Sequence, residues 1–290
     1  MGNDSSLSNK EIWFGWRSWI VLALFYAYEF TQRVSPAVMI PEMMADLGVT
    51  AAAIGSLSAY YYYFYALMQI PAGFLYDRFN PRKVILVASL LVALGSFLLG
   101  HAHTLILAQA ARAIIGVGSA FAFVGCIKLG MSWLPFHQIP MMIGLTNLFG
   151  VFGAILGGAP LAALLKTTHW HTIFSYGALV GLALTLLIYQ FVILGPRLPL
   201  HTTAERKPLK QILIQVCGCR QTWLNAFYGA LLVAPIAGFA ELWGTPYLML
   251  AYDITRPMAA LLVSLIFCGI AIGGPTMGYL SQRYNAVQLM

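Results

Sequence analysis

"GFLYDRFNPRK", residues 73–83, sets one acid and three bases (Asp77, Arg78, Arg82, Lys83) between two apolar runs, 54–76 and 83–100. Each run approaches or exceeds the roughly 20 residues that a helix needs to cross a bilayer core. The stretch therefore reads as a short basic turn joining two antiparallel membrane helices. A related octapeptide stands 205 positions later, with "GYLSQRYN" at 278–285 against "GFLYDRFN" at 73–80, and the same offset lays Pro246 over Pro41. One such match arises by chance. Two copies, each where the second helix of a half meets its loop, indicate duplication.

Composition agrees with a lipid solvent. Of 290 residues, 60% are hydrophobic and 9% charged, with a mean hydropathy of +0.79. A water-soluble domain carries about 25% charged residues, so this chain cannot cover a wet surface. Its 17 Phe and 15 Tyr suit the membrane interface. The first residues, "MGNDSSLSNKEIWFGWR", are polar, and no small-residue cleavage pattern follows a short apolar core. The first apolar run is thus expected to remain as a span.

Eight spans are expected, near 18–40, 54–76, 83–100, 104–133, 141–165, 172–194, 223–249 and 258–280. The formal charge of +7 would suit nucleic acid, but the bases gather on one side of these spans. With the N-terminus in the cytoplasm, the inner side holds Lys10, Arg17, Arg78, Arg82, Lys83, Arg197, Arg206, Lys207, Lys210, Arg220 and Arg283. Only Lys166 and Arg256 fall outside, while Arg33, Arg112 and Lys128 lie within helices. That bias predicts a multi-pass protein of the plasma membrane, the inner membrane in a bacterium, with a cytoplasmic N-terminus and no nucleic-acid partner. The division expected is a six-helix bundle over 1–194, a basic cytoplasmic linker over 195–222 and a two-helix unit over 223–290. Within the linker, residues 205–215 suit an amphipathic helix on the inner leaflet.

The 73–83 turn resembles the signature loop of the major facilitator superfamily, Gly-x-Leu-x-Asp-Arg-x-Gly-Arg-Arg/Lys. Gly73, Leu75, Asp77, Arg78, Arg82 and Lys83 match it, whereas Asn80 and Pro81 stand where the pattern has one Gly. In such a conformational gating loop Gly73 would allow close helix contact, Asp77 would cap or pair, and the bases would anchor to lipid and helix C-termini. "RAIIGVGSAFAFVG" in helix 4 is similar to the family's Arg-x-x-x-Gly-x-Gly, through Arg112, Gly116 and Gly118. In proton-coupled members that arginine is associated with coupling or substrate binding. Helix 5, with Gly144, Gly153 and Gly157, matches the glycine-rich antiporter motif poorly, since Gly158 occupies the place of its proline. It reads instead as small-residue packing, which favours uptake over export.

The resemblance implies an all-α membrane protein with the major facilitator fold: a complete N-terminal six-helix bundle plus a partial C-terminal bundle. The family has twelve helices and this sequence stops where a ninth should begin. A truncated product, or a second chain supplying the missing helices, is the expectation.

Five ionisable residues fall within spans: Glu29, Arg33, Arg112, Lys128 and Glu241. Facing lipid, each costs at least about 2.5 kcal/mol at mid-bilayer. Glu29 and Arg33 are one helical turn apart and can simply neutralise each other. Arg112 lies about 12 Å into helix 4 by the helical rise, near the level of Arg33. The resemblance implies that helices 1, 4, 7 and 10 line a central cavity. Arg33 and Arg112 are then expected to bind a substrate carboxylate, with Glu29 taking a substrate amine or a coupling proton. Glu241 is a second proton-coupling candidate, and Gln32 and Asn147 are further substrate-binding candidates. Lys128, about 24 Å further along helix 4, is expected to pair with Asp77.

The run "YYYYFY", Tyr60 to Tyr65, reads as packing and hydrogen-bonded structure more than as a stacking platform. The histidines of "HAH" (His101, His103) and "HWH" (His169, His171) read as interfacial residues, and the four cysteines as small filler, so no metal and no cofactor is expected. No Gly-x-x-x-x-Gly-Lys-Ser/Thr loop or hydrolase constellation occurs, which argues against an enzyme. The function expected is a secondary carrier, proton-coupled, moving a small carboxylate-bearing solute such as an amino acid or short peptide by alternating access. The alternative is a non-transporting remnant or a solute- or partner-binding subunit.

Overall fold

Among the described residues the helices follow the eight expected runs, and several break, as near Pro36 and at Gly158. The computed structural model describes residues 9–134, 138–195 and 209–283. The first crossing is α1 (Asn9–Val34), a 3-10 turn (Ser35–Val38) and α2 (Ile40–Leu47). Then come α3 (Ala51–Arg78), α4 (Pro81–Gly100), α5 (Leu105–Ser119) with α6 (Ala122–Met131), α7 (Ile139–Gly157) with α8 (Ala159–Leu164), and α9 (Trp170–Phe191). After α10 (Leu209–Gly218), the seventh crossing is α11 (Arg220–Pro235), a π segment (Ile236–Trp243) and α12 (Gly244–Tyr252), followed by α13 (Arg256–Arg283). The tail of the second repeat, 284–290, and residues 205–208 of the expected amphipathic helix lie outside the described residues. The rest of that helix is α10.

Among the described residues six helical stretches are long and apolar enough to cross a membrane, and α1 and α3 are not among them. Both are long, at 26 and 28 residues. Glu29, Gln32 and Arg33 lower the hydropathy of one, and the tyrosine run that of the other. These two helices carry Glu29, Arg33 and Tyr61, described below.

Local chemistry explains the ends. Asn80 caps α4, its side chain accepting from the N–H groups of Arg82 at 3.0 Å and Lys83 at 3.4 Å, with Pro81 in the first turn. The "NP" that interrupts the signature is thus a helix start, where proline's missing N–H costs nothing. Helix 4 is not continuous as expected: it breaks at Ala120–Phe121, where the Phe121 carbonyl, which accepts from the Gly125 N–H, also accepts from the Tyr76 hydroxyl at 2.9 Å.

The first six crossings share one core. α4 packs against α5 and α9, α3 against α5, and α1 against α7, α6 and α9. Two glycines permit the tightest approaches: a Cβ on Gly153 would overlap the Ala27 carbonyl of α1, and one on Gly116 the Tyr61 carbonyl of α3. Helix 5 therefore does use small residues for close packing, with Gly157 also near Thr31. Gly144 does not share this role, and neither does Gly73, contrary to expectation. A Cβ on either would meet nothing within 4 Å, because both stand on uncovered stretches of helix.

The second half touches the first near its α12 end. Ala240, Val263 and Phe267 pack with Val34 and Ala154, Arg256 pairs with Glu42, and Trp243 lies beside Gly55. α11 has no buried residue.

Candidate functional site

The Tyr61 hydroxyl of α3 stands at the centre of the buried polar groups. It donates to Glu29 Oε1 at 2.6 Å and accepts from Arg33 Nε at 2.9 Å, while Arg33 Nη2 donates to the same Glu29 oxygen at 2.6 Å. The Arg112 guanidinium from α5 lies over the Tyr61 ring, 4.6 Å from its centroid, and donates to the Gln32 backbone carbonyl at 2.9 Å. Arg33 also lies over Phe30 at 4.2 Å and Tyr65 at 4.7 Å. Two guanidiniums and one carboxylate thus converge around one phenol, each arginine resting on an aromatic face.

Helix geometry dictates this grouping. Glu29 and Arg33 share a face of α1 at one-turn spacing, as do Tyr61 and Tyr65 on α3, and Gly116 draws α5 onto α3 at Tyr61. Glu29 is fully enclosed and Arg112 nearly so, at 1% exposure, while the Arg33 side chain keeps 10%. Within this cluster two polar atoms are buried without a hydrogen-bond partner: Glu29 Oε2 and Arg112 Nε. An unpaired buried atom of this kind is costly, and marks a place where a proton, water or ligand atom fits.

Glu241 approaches from the second half. Its π segment follows Pro235, and a π turn widens the helix where function often resides. Glu241 is 6% exposed. Tyr62 donates to its Oε2, and the carboxylate is within electrostatic reach of both Glu29 and Arg33. Adjacent tyrosines on α3 therefore serve different halves, Tyr61 binding Glu29 and Tyr62 binding Glu241.

The other candidates are placed apart. The Gln32 amide turns away, donating to Tyr28 and Ser96, each at 2.9 Å. Asn147 is exposed on α7, one turn before Val151, which packs against the inter-half cluster. Lys128 pairs with Asp77, as its depth suggested. Around the basic turn, Arg82 donates to the Tyr189 carbonyl of α9, Arg78 lies over Phe74, and Lys83 is exposed. At the far end His103 stacks on His171 with centroids 5.2 Å apart, and Trp170 donates to Asp46 at 2.7 Å. Among the described residues no group of three or more His, Cys, Asp or Glu side chains is placed to hold a metal ion. Sequence reasoning missed the roles of Tyr61 and Tyr62. The one-turn spacing of Tyr61 and Tyr65, at the depth of Glu29, was the available signal.

Charges enclosed among helices apolar enough to cross a membrane define an integral membrane protein with a polar interior. The chain matches the Major Facilitator Superfamily over residues 19–290 and belongs to that family. Over 185 residues it is 27% identical to the probable sulfoacetate transporter SauU of Cupriavidus necator, covering 64% of this chain and 43% of that one. It is 22% identical to the probable galactarate/D-glucarate transporter GarP of Escherichia coli K12, covering 91% and 67%. It is 28% identical to the D-galactonate transporter of Escherichia coli O6:H1, covering 58% and 39%. The chain therefore spans between 39% and 67% of the length of these relatives.

The fold is that of solved transporters. A bacterial homologue of the human lysosomal transporter Spinster, inward-facing and unoccupied, superposes with a TM-score of 0.72 at 18% identity, covering 98% of this chain and 64% of that one. The D-xylose-proton symporter gives 0.64 at 12% identity, with 93% and 69% covered. The protein is thus an all-helical integral membrane protein of a transporter family, not an enzyme.

Proposed function

We propose that the protein takes part in proton-coupled uptake of a small organic anion carrying a carboxylate or a similar acid group. The Tyr61-centred cluster is the observation that carries this reading. It brings two guanidiniums together with Glu29, with Glu241 in electrostatic reach of Arg33, so a proton taken up by either acid leaves one positive charge for an anion to neutralise. A guanidinium fork suits a carboxylate, and Arg112 Nε is without a partner. The three relatives named above support an acid over an amine-bearing solute, since each is described as carrying an organic acid. Glu29 is fully enclosed and ion-paired to Arg33, which leaves it poorly placed to bind an amine.

The same geometry supplies a coupling route. With Glu29 ionised, Arg33 is held by it. A proton on the unpaired Oε2 weakens that hold and frees the Arg33 fork for the incoming acid. Glu241, tied to Tyr62 across the halves, is the second carboxylate in reach of a proton. The basic turn at Gly73–Lys83 then braces the first half from its inner side, with the N-terminus cytoplasmic in the plasma membrane, the inner membrane of a bacterium.

Uptake of labelled sulfoacetate, D-glucarate and D-galactonate into proteoliposomes under an imposed pH gradient tests the reading. An inward gradient should accelerate uptake of at least one acid, and Arg33→Ala and Arg112→Ala should each lower affinity by about ten- to a hundredfold, the worth of a charge-assisted hydrogen bond. Uptake indifferent to both substitutions overturns it. Saturable binding with no flux supports a solute-binding subunit instead.

A further inference from the structure

Between α1, α7, α8 and α9 lies a groove of about 380 Å³, away from the charged cluster. Its size falls in the range of small-molecule sites, about 300–1,000 Å³. Phe152 and Leu156 on α7 and Tyr176 and Val180 on α9 form its rims, and all four are exposed. Both flanking helical stretches, Met141–Leu164 and Trp170–Phe191, are apolar enough to cross a membrane. The groove therefore opens onto hydrocarbon.

Its floor contains few polar atoms, and the hydroxyls of Tyr28 and Thr31 and the amide nitrogen of Gln32 are already committed within the protein. Tyr28 donates to the Gly177 carbonyl at 2.9 Å, and Gln32 donates to Tyr28 and Ser96. Thr31 donates to the carbonyls of Ala27 at 3.0 Å and Gly153 at 2.9 Å. A polar solute entering here would shed its water and gain no hydrogen bond, so the surroundings admit only hydrocarbon. One end is marked by charge: Leu164 lines the groove, and exposed Lys166 lies two residues beyond it, past the end of α8. An ammonium at that level is placed to attract a phosphate.

We propose that this groove binds an acyl chain of an anionic phospholipid whose phosphate pairs with Lys166. The chain lies along the back of α1, against Tyr28 and Gln32, while the same helix presents Glu29 and Arg33 to Tyr61. The lipid thereby braces the helix on which the charged cluster is mounted.

The test uses the full chain in nanodiscs containing phosphatidylglycerol with a photoactivatable group on its acyl chain, and labelled positions are mapped by mass spectrometry. Labelling should concentrate on Phe152, Leu156, Tyr176 and Val180, above that on Leu90, Leu94 and Phe97, which are equally exposed on α4. Phosphatidylglycerol should be captured about fivefold more than the phosphatidylcholine analogue, the factor expected from one nearby base. Lys166→Glu should erase that preference, and Val180→Trp should fill the groove and lower labelling of its rim. Even labelling of both faces overturns the proposal, as does equal capture of the two lipids by the unaltered protein. Both readouts come from the unaltered chain, so they decide the matter even where Val180→Trp fails to fold.

Discussion

α1 and α11 open the two repeats, and both crossings are interrupted before a proline, at Pro41 and at Pro246, yet their surroundings differ sharply. α1 is held by α6, α7 and α9, and Leu22, Ala23 and Phe25 have no exposed surface. α11 touches chiefly the π segment that follows it and the short α10, and none of its residues is buried. The charges follow the same division. Glu29 and Arg33 are satisfied inside the first half by each other and by Tyr61, whereas Glu241 of the second half finds its hydrogen-bond donor, Tyr62, in the first. A half whose buried ions are matched internally can move as a unit. The polar links between the halves are few, Tyr62 to Glu241 and Arg256 to Glu42, and they stand beside the apolar contacts of Val34 and Ala154 with Ala240, Val263 and Phe267.

The contrast is most easily broken at glycine. Gly153→Leu forces a side chain into the Ala27 carbonyl of α1, where backbone must yield, and should cost at least about 3 kcal/mol. Gly229→Leu on α11 meets nothing within 4 Å and should leave stability unchanged. Monodispersity and thermal stability in detergent compare the two. Equal losses would show that α11 packs as tightly as α1.

Removal of charge comes next. Glu29→Ala strands the Arg33 guanidinium, which is one-tenth exposed, and breaking a buried pair in this way costs about 3–5 kcal/mol. Glu241→Gln strands no bonded cation, since its hydrogen-bond donor is a neutral phenol, and should cost clearly less. Thermal unfolding of the two variants side by side decides whether the ion pair is internal to the first half, as its geometry indicates.

Tyr62→Phe sharpens the comparison at the link itself. It removes a donor to the buried Glu241 carboxylate, a bond worth about 1.5–3 kcal/mol when one partner is charged. The expected outcome is looser contact between the halves with an intact first half. A cysteine placed by Thr245→Cys, at a site only 3% exposed, should then react with a thiol reagent at least about tenfold faster, as that energy implies. Unchanged reactivity would show that the apolar contacts around Val34, Ala154 and Val263 hold the halves by themselves.

Much of this organisation was legible in the sequence, for reasons that follow from scale. A membrane crossing is a property of about twenty residues averaged together, so the eight runs and the basic turn survive local irregularities. Glu29, Arg33, Arg112 and Glu241 stood out because charge in an apolar run is expensive. The breaks were harder to place. Helix 4 parts at Ala120–Phe121, where no proline announces a break and where the Tyr76 hydroxyl, 45 residues away, adds a second bond to the Phe121 carbonyl. The split between Tyr61 and Tyr62 is a tertiary fact as well. One-turn spacing groups Tyr61 with Tyr65 at the depth of Glu29, but nothing local to the six consecutive rings says that Tyr62 meets Glu241. Gln32 looked equivalent to its neighbours in sequence, but the helical turn directs its amide to Ser96 on α4.

The smallest effect is expected at the turn with which the reading began. Lys128 and Asp77 join α6 to the end of α3, and Asp77 is 72% exposed. An ion pair in such a setting contributes about 0.2–1 kcal/mol and is screened by salt. Asp77→Asn should therefore barely move the thermal stability of the first half, and any shift should vanish at high ionic strength. If the turn also gates the halves, the same variant should slow uptake while leaving stability and substrate affinity in place. The ratio of transport rate to affinity is the quantity to measure, because a purely structural pair would leave it unaltered.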